Sequence, residues 1–363
     1  MAVSKIFQNT ISLSENAFVS GSILTSFGIL LVTVGGSWDI TNHLLNKPET
    51  FFSPPHALMY VGVAISLIGV VVSFFGWRTL TNLKNFFSVP LKINLIGIFM
   101  LTGAGPFDFF WHSNFGLDGL LSPPHITLIF GMLLCGLGGA IGISRFFTTR
   151  SSKSILSNFL NVLGILPVWL SASGIISSLS LPFSNTDFFE FNPDPLAAYL
   201  IASLGFPFLI AFSLMSLFRL GKHQFGLFSI MGGLFLLING STAIVPNFAI
   251  GDSVLFYSLN FIPFAVSDVV LKLSRSKIAL FSIGGLLGSI FYMIYYPYVM
   301  YTFNEMLLGK LVSPSLIYFV YFEIIQDVMM FAILPAILMG ILGVVLSDFF
   351  SKKVLSEDAI SIQ

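Results

Sequence analysis

Long charge-free runs restrict the fold of this chain more than any other feature. No charged residue lies between Glu15 and Asp39, between Glu49 and Arg78, between Asp118 and Arg145, or between Lys153 and Asp187. About 20 apolar residues coiled at about 1.5 Å per residue match the roughly 30 Å hydrocarbon core of a bilayer. In that core each backbone N–H and C=O must find its partner within the protein, so runs of this length form helices. Composition agrees: 55% of the residues are hydrophobic, 9% are charged and the mean hydropathy is +0.93, whereas soluble domains carry about a quarter charged residues. The 41 Phe and 32 Gly suit helices that face lipid on one side and approach one another closely on the other.

Reading each run as one span gives about ten, near residues 17–38, 54–77, 91–111, 123–145, 155–181, 195–218, 225–247, 253–271, 278–300 and 314–347. The expectation is an all-α polytopic membrane protein in a lipid bilayer, built as five helical hairpins. The last run is long enough to tilt, kink or project. Lys and Arg beside membrane helices stay on the cytoplasmic side. With both termini in the cytoplasm, Lys5, Arg78, Lys84, Lys92, Arg145, Arg150, Lys153, Arg219, Lys222, Lys272, Arg275, Lys277, Lys352 and Lys353 are inside and only Lys47 and Lys310 are outside. The outer loops then carry acids such as Asp187, Glu190, Asp194 and Asp252. This orientation predicts a multi-pass cell-membrane protein. The opening stretch MAVSKIFQNTISLSENAF reads as the start of an uncleaved first helix, and the single Cys135, inside the fourth span, as core packing.

Two polar segments interrupt this apolar background. WDITNHLLNKPETFFSPPH runs from Trp38 to His56, and FDFFWHSNFGLDGLLSPPH from Phe107 to His125. Both contain D-x3-H-x12-H, at an offset of 69 residues. At that offset Gly28, Ile29, Thr33, Gly36, Ser53, Pro54, Pro55 and Gly62 also match Gly97, Ile98, Thr102, Gly105, Ser122, Pro123, Pro124 and Gly131. The first two hairpins are therefore an internal repeat. Residues 1–145 form the duplicated, metal-binding part and residues 146–363 the hairpins without the histidine motif. In the third hairpin Asp187 is followed four residues on by Phe191 instead of His, and SPS at 313–315 only faintly echoes Ser-Pro-Pro.

Residues four apart share a helix face, so Asp39 and His43 stand one above the other if the first helix persists to its outer end. Ser53 suits an N-cap and Pro54 a first helical position, which places His56 in the opening turn of the second helix. The hairpin brings Asp39, His43 and His56 together, and the second copy does the same for Asp108, His112 and His125. The outer ends of adjacent duplicated hairpins also put the two triads within reach of each other. A carboxylate with two imidazoles accepts Zn, Cu or non-haem Fe and leaves positions open for water or substrate. A single D-x3-H is ordinary loop polarity or capping. Two copies with the same third histidine, using four of the five histidines in the chain, argue for metal.

At these residues the chain resembles the C subunit of the copper membrane monooxygenases, the particulate methane and ammonia monooxygenase family. That subunit carries D-x3-H-x12-H on one helical hairpin and, on a second, Asn ahead of another histidine pair. The resemblance covers roughly residues 20–140 and carries over to Asp39, His43 and His56 for one set and to His112 and His125 for the other. Asp108 departs from the family, which has Asn there, and adds a charge that suits a harder metal or a more symmetric two-ion cluster. The remaining chain departs as well, since the family's C subunit is shorter and works beside A and B subunits. What the resemblance implies is copper, oxidation of a small apolar substrate by dioxygen, and partner membrane subunits. Zinc and iron remain open from the ligand set itself.

Outside the repeat, Glu323 and Asp327 sit four apart in the tenth span, where two carboxylates are costly unless they face protein or water. They are candidates for a proton or cation site, against the plainer reading of hydrogen bonding to neighbouring helices. Asp268 and Lys272 read as a boundary ion pair, His223 as a solvated loop residue, and Trp38 and Trp111 as interfacial anchors. No phosphate-binding glycine loop, nucleophile elbow, Cys-x-x-Cys, HExxH or nucleic-acid signature occurs, so no nucleic-acid partner is expected. Two further function classes fit the same residues. One is a metal transporter or delivery protein, with Glu323 and Asp327 passing the ion inward; the other is a membrane zinc hydrolase acting on lipid.

Overall fold

A computed structural model describes residues 2–44, 47, 50, 52–81, 83–116, 121–149, 155–180, 195–221, 223–248, 251, 254–291 and 325–355. The chain is an all-α polytopic membrane protein. The helices are α1 (Ala2–Leu44), α2 (Pro54–Thr79), α3 (Lys84–Phe115), α4 (Pro123–Thr149), α5 (Ile155–Ser180), α6 (Pro195–Leu220), α7 (Leu227–Ile244), α8 (Val254–Ser258), α9 (Phe261–Leu273), α10 (Lys277–Leu286) and α11 (Ile325–Leu355), with a π-helical turn at Leu287–Phe291 continuing α10. Among the described residues, α1 to α7 and α11 each contain a stretch long and apolar enough to cross a membrane. The eighth expected span is divided: α8 ends at Ser258 and α9 restarts at Phe261. Its 13 residues reach about 20 Å, short of a full bilayer core.

Glycines at heptad spacing build the first hairpin. A side chain at Gly28 would collide with Ser66 and the Gly62 carbonyl, one at Gly69 with Gly21 and Thr25, and one at Gly76 with Phe18 and Ser14. A repeat of seven keeps the seam facing its partner in a left-handed crossing, and the missing Cβ atoms let the two backbones touch. The second hairpin copies this register 69 residues later. Gly97 packs on Gly131 and Cys135 as Gly28 packs on Gly62 and Ser66, and Gly138 on Asn94 and Pro90 as Gly69 on Thr25 and Gly21. The duplication thus survives at both of these contacts, while the seam glycines Gly35 and Gly76 give way to Ala104 and Arg145. The two hairpins join where Ser22 and Ser26 of α1 lie against Gly142 and Gly139 of α4, around a core that includes Phe18, Phe86, Phe87 and Ile143.

The rest of the bundle builds outward from α5. Trp169 is fully buried and stacks on Phe235 of α7 at 3.9 Å, with Phe264 of α9 edge-on at 6.3 Å. At the end opposite the histidine motifs, Arg145 donates to the carbonyls of Phe86 and Val354, and Arg219 to Val344 O at 2.8 Å and Ser347 Oγ at 2.5 Å. Arg145 therefore ties the last turn of α11 to α4, where the helix dipole favours a cation, and Arg219 ties the same helix, two to three turns earlier, to α6.

Asp268 is not a boundary partner of Lys272. It is 2% exposed and accepts hydrogen bonds from the backbone N–H groups of Gly226, Phe228 and Ser229 and from Ser229 Oγ, at 2.7–3.3 Å. A carboxylate from α9 thus supplies the acceptor for donors that the start of α7 leaves unsatisfied, while Lys272 lies over the Phe225 ring. His223 is not simply solvated either. Its ring packs edge-on against Phe218 at 4.7 Å and its carbonyl accepts from Arg275. Burial, then Arg275 and Arg219, hold its imidazole below the usual histidine pKa.

Candidate metal centre

Both motifs lie where one helix ends and the next begins. Pro54 and Pro123 open α2 and α4, using the fixed φ of proline and its missing N–H at a position that needs neither freedom nor donor. Ser53 occupies the cap position of α2 with φ −56° and ψ 150°, yet its hydroxyl makes no cap bond and is buried without a hydrogen-bond partner among the described residues. The chain turns as expected and the serine does not act as expected.

In the second copy, α3 carries Asp108 and His112 one turn apart and α4 contributes His125. His112 Nε2 lies 3.3 Å and His125 Nε2 3.4 Å from the same atom, Asp108 Oδ1. One ligand atom from each residue falls within 4.8 Å of the others. Asp108 Oδ1 is shielded from solvent and receives no well-aligned hydrogen bond among the described residues; both nitrogens are farther away than the roughly 2.7–2.9 Å of a charge-assisted bond. Two ligands held about 2.0–2.1 Å from one ion at about 90–110° stand about 2.9–3.4 Å apart. The separations are also those that co-ligands of one ion would have.

The first copy has the same plan. His56 Nε2 is 3.0 Å from Asp39 Oδ1. His43 sits on the last turn of α1, but its side chain lies outside the described residues, so this set is seen through Asp39 and His56. The two sets are neighbours: the charge of His56 acts on Asp108, and the charges of both Asp108 and Asp39 act on Tyr60. Tyr60 is one turn beyond His56, with ring centroids 6.3 Å apart. Its counterpart at the repeat offset is Ile129, so the link is specific to the first copy.

What turns the rings is a set of oxygens that sequence reasoning missed. His56 Nδ1 faces the Thr50 carbonyl at 3.0 Å, His112 Nδ1 the Gly116 carbonyl at 2.8 Å, and His125 Nδ1 the Ser122 hydroxyl at 2.9 Å. Oxygen partners on the far nitrogen fix ring orientation and leave Nε2 to ligate. Gly116 serves twice, since its N–H also donates to His112 O at 3.0 Å. Its φ of 72° and ψ of −168° belong to a region that essentially only glycine enters. The only sequence signal for this was a glycine four residues beyond a histidine at a helix end.

The first hairpin is tied to α7 at this end of the bundle. Ser37 and Thr242 hydroxyls meet at 2.7 Å, and Lys47 Nζ donates to Pro246 O at 2.7 Å. Trp111 stands in an aromatic ladder with Phe107 and Phe115. Glu323 lies outside the described residues, and Asp327 is described only as backbone in α11. The constellation amounts to an Asp/His/His group at one end of a bundle of apolar helices, with a spacing that could hold a metal ion. Comparison with protein-family models, curated proteins and solved structures finds no match to this chain.

Proposed function

We propose that this protein is an integral membrane metalloprotein in which Asp39, His43 and His56 hold one transition-metal ion and Asp108, His112 and His125 a second, at the outer surface of the cell membrane with both termini in the cytoplasm. The convergence of His112 Nε2 and His125 Nε2 on Asp108 Oδ1 at 3.3 and 3.4 Å carries this reading. The residues fit the ion chemically: imidazole with carboxylate suits Cu, Zn or Fe, and each described imidazole presents Nε2 while Nδ1 is held. Copper is our choice among these because of the resemblance to the monooxygenase C subunit. Bound here, it would supply redox chemistry with dioxygen, and the class of substrate that the resemblance implies is small and apolar, arriving from the bilayer beside partner subunits. The chain's own residues orient the ligands and keep the carboxylates largely out of water.

The test is metal quantification on protein purified in detergent. His56→Ala and His112→Ala should each lower bound metal, and the double variant should lose nearly all of it while eluting as the same species in size exclusion. A well-folded double variant with unchanged metal would overturn the assignment. For orientation, Cys at Lys47 or Asn114 should react with a membrane-impermeant reagent in intact cells and Cys at Asn85 should not; the reverse pattern would invert the topology.

A further inference from the structure

The three described imidazoles differ in one respect that bears on how an ion enters and leaves, given the metal reading above. A carbonyl oxygen only accepts hydrogen bonds, so the Thr50 and Gly116 carbonyls hold a hydrogen on Nδ1 of His56 and of His112. A hydroxyl both donates and accepts. Ser122 can donate to a bare Nδ1 of His125 or accept from its N–H across the same 2.9 Å. In the first arrangement the neutral ring carries its hydrogen on Nε2, which lies 3.4 Å from Asp108 Oδ1. In the second, Nε2 is bare and ready to ligate. The duplicated serine does not act in this way in the first copy: His56 Nδ1 is engaged by Thr50, and the Ser53 hydroxyl is buried with no hydrogen-bond partner among the described residues.

We infer that Ser122 is a positioning residue that lets His125 exchange an electrostatic contact with Asp108 for a bond to the ion without turning its ring. Without metal, His125 is the Nε2–H tautomer, its N–H set against the Asp108 carboxylate charge 3.4 Å away while Nδ1 accepts from the Ser122 O–H. On loading, Nε2 gives its proton to water and Nδ1 takes one from water and keeps it, while the Ser122 hydroxyl rotates from donor to acceptor of the Nδ1–H bond, so the ring is neutral before and after. The set containing Asp108 is therefore the adjustable one, and the set containing Asp39 is locked in its ligating form at His56.

The experiment uses the full chain with ¹⁵N-labelled histidine, titrated with Zn(II). The His125 signal, identified by its loss in His125→Gln, should report Nε2–H without metal and Nδ1–H after Zn(II) is added. Ser122→Ala should abolish the pinned Nδ1–H form and weaken Zn(II) binding at this set by about 10–100-fold, the usual cost of losing such a partner. Ser122→Thr keeps the hydroxyl and should restore both, which separates this role from mere folding; Ser53→Ala should change neither. Zn(II) uptake with an unchanged His125 tautomer, or with undiminished affinity in Ser122→Ala, would overturn the inference alone. No Zn(II) uptake by the wild-type protein would remove the metal reading and this inference together.

Discussion

In the first hairpin the Asp39 side chain is 13% exposed and His56 is held by a main-chain carbonyl; in the second, Asp108 is 29% exposed and His125 is held by a hydroxyl. Yet the helices beneath these sites pack in one register, Gly28 on Gly62 and Gly97 on Gly131. The difference shows where a duplicated hairpin has freedom to diverge. At these paired glycines backbone touches backbone, and an added atom would meet a carbonyl or amide. The loops that supply oxygens to the imidazoles have no such restriction. One scaffold thus carries a more enclosed set and a more open, adjustable one.

The severest way to break the comparison is at the seam. Gly28→Leu and Gly97→Leu should each destabilise the bundle by about 3 kcal/mol, read as loss of the monodisperse species on a heating series in detergent. Gly36 and Gly105 have nothing within 4 Å of a would-be Cβ, so alanine there should instead gain up to about 1 kcal/mol from helix propensity. If Gly28→Leu is tolerated as well as Gly36→Ala, the seam does not hold the hairpins together.

Next in size is the effect of each carboxylate. Asp39→Asn and Asp108→Asn keep the shape and remove the charge, and each should cost its own set about 100-fold or more in Zn(II) affinity, the upper end of what losing an outer partner costs. Because His56 lies within reach of the Asp108 charge, Asp108→Asn should also weaken the first set, by a few-fold. Chelator competition on variants retaining only one set, made by His56→Ala or His112→Ala, measures both. Equal affinities before and after either Asn substitution would dismiss that carboxylate as a ligand.

The smallest effect belongs to Gly116. Alanine at φ 72° is strained by about 1–3 kcal/mol, and relief of that strain swings the carbonyl off His112. Affinity at the second set should fall about 10-fold with the first set untouched. A loss shared equally by both sets would point to general loosening of the hairpins.

Much of this was legible in the residues. Helical spans announce themselves because a bilayer leaves an apolar run no alternative, and the doubled D-x3-H-x12-H brought Asp108, His112 and His125 together because a helix turn and a short hairpin are both local. The oxygens that hold Nδ1 were not legible, since Thr50 and Gly116 act through carbonyls that every residue possesses and only backbone conformation aims them. Ser122 stands just before the start of α4, and only the fold shows that its hydroxyl reaches His125. The role of Asp268 is hidden from the sequence for a related reason. Its nearest opposite charge in the chain, Lys272, is one turn away, whereas its actual partners are main-chain N–H groups and a hydroxyl about forty residues earlier.

That last contact bears on how the protein is made. Helix α7 is synthesised before α9, so its first N–H groups enter the membrane environment before the carboxylate that will satisfy them exists. Until Asp268 arrives those donors must be met by water or lipid headgroups, which anchors the start of α7 at the membrane surface and keeps it from sinking into the hydrocarbon. Docking of α9 then exchanges a borrowed set of acceptors for a permanent one. Assembly of this half of the bundle is thereby given an order, with α7 waiting at the interface for a later part of the chain to complete it.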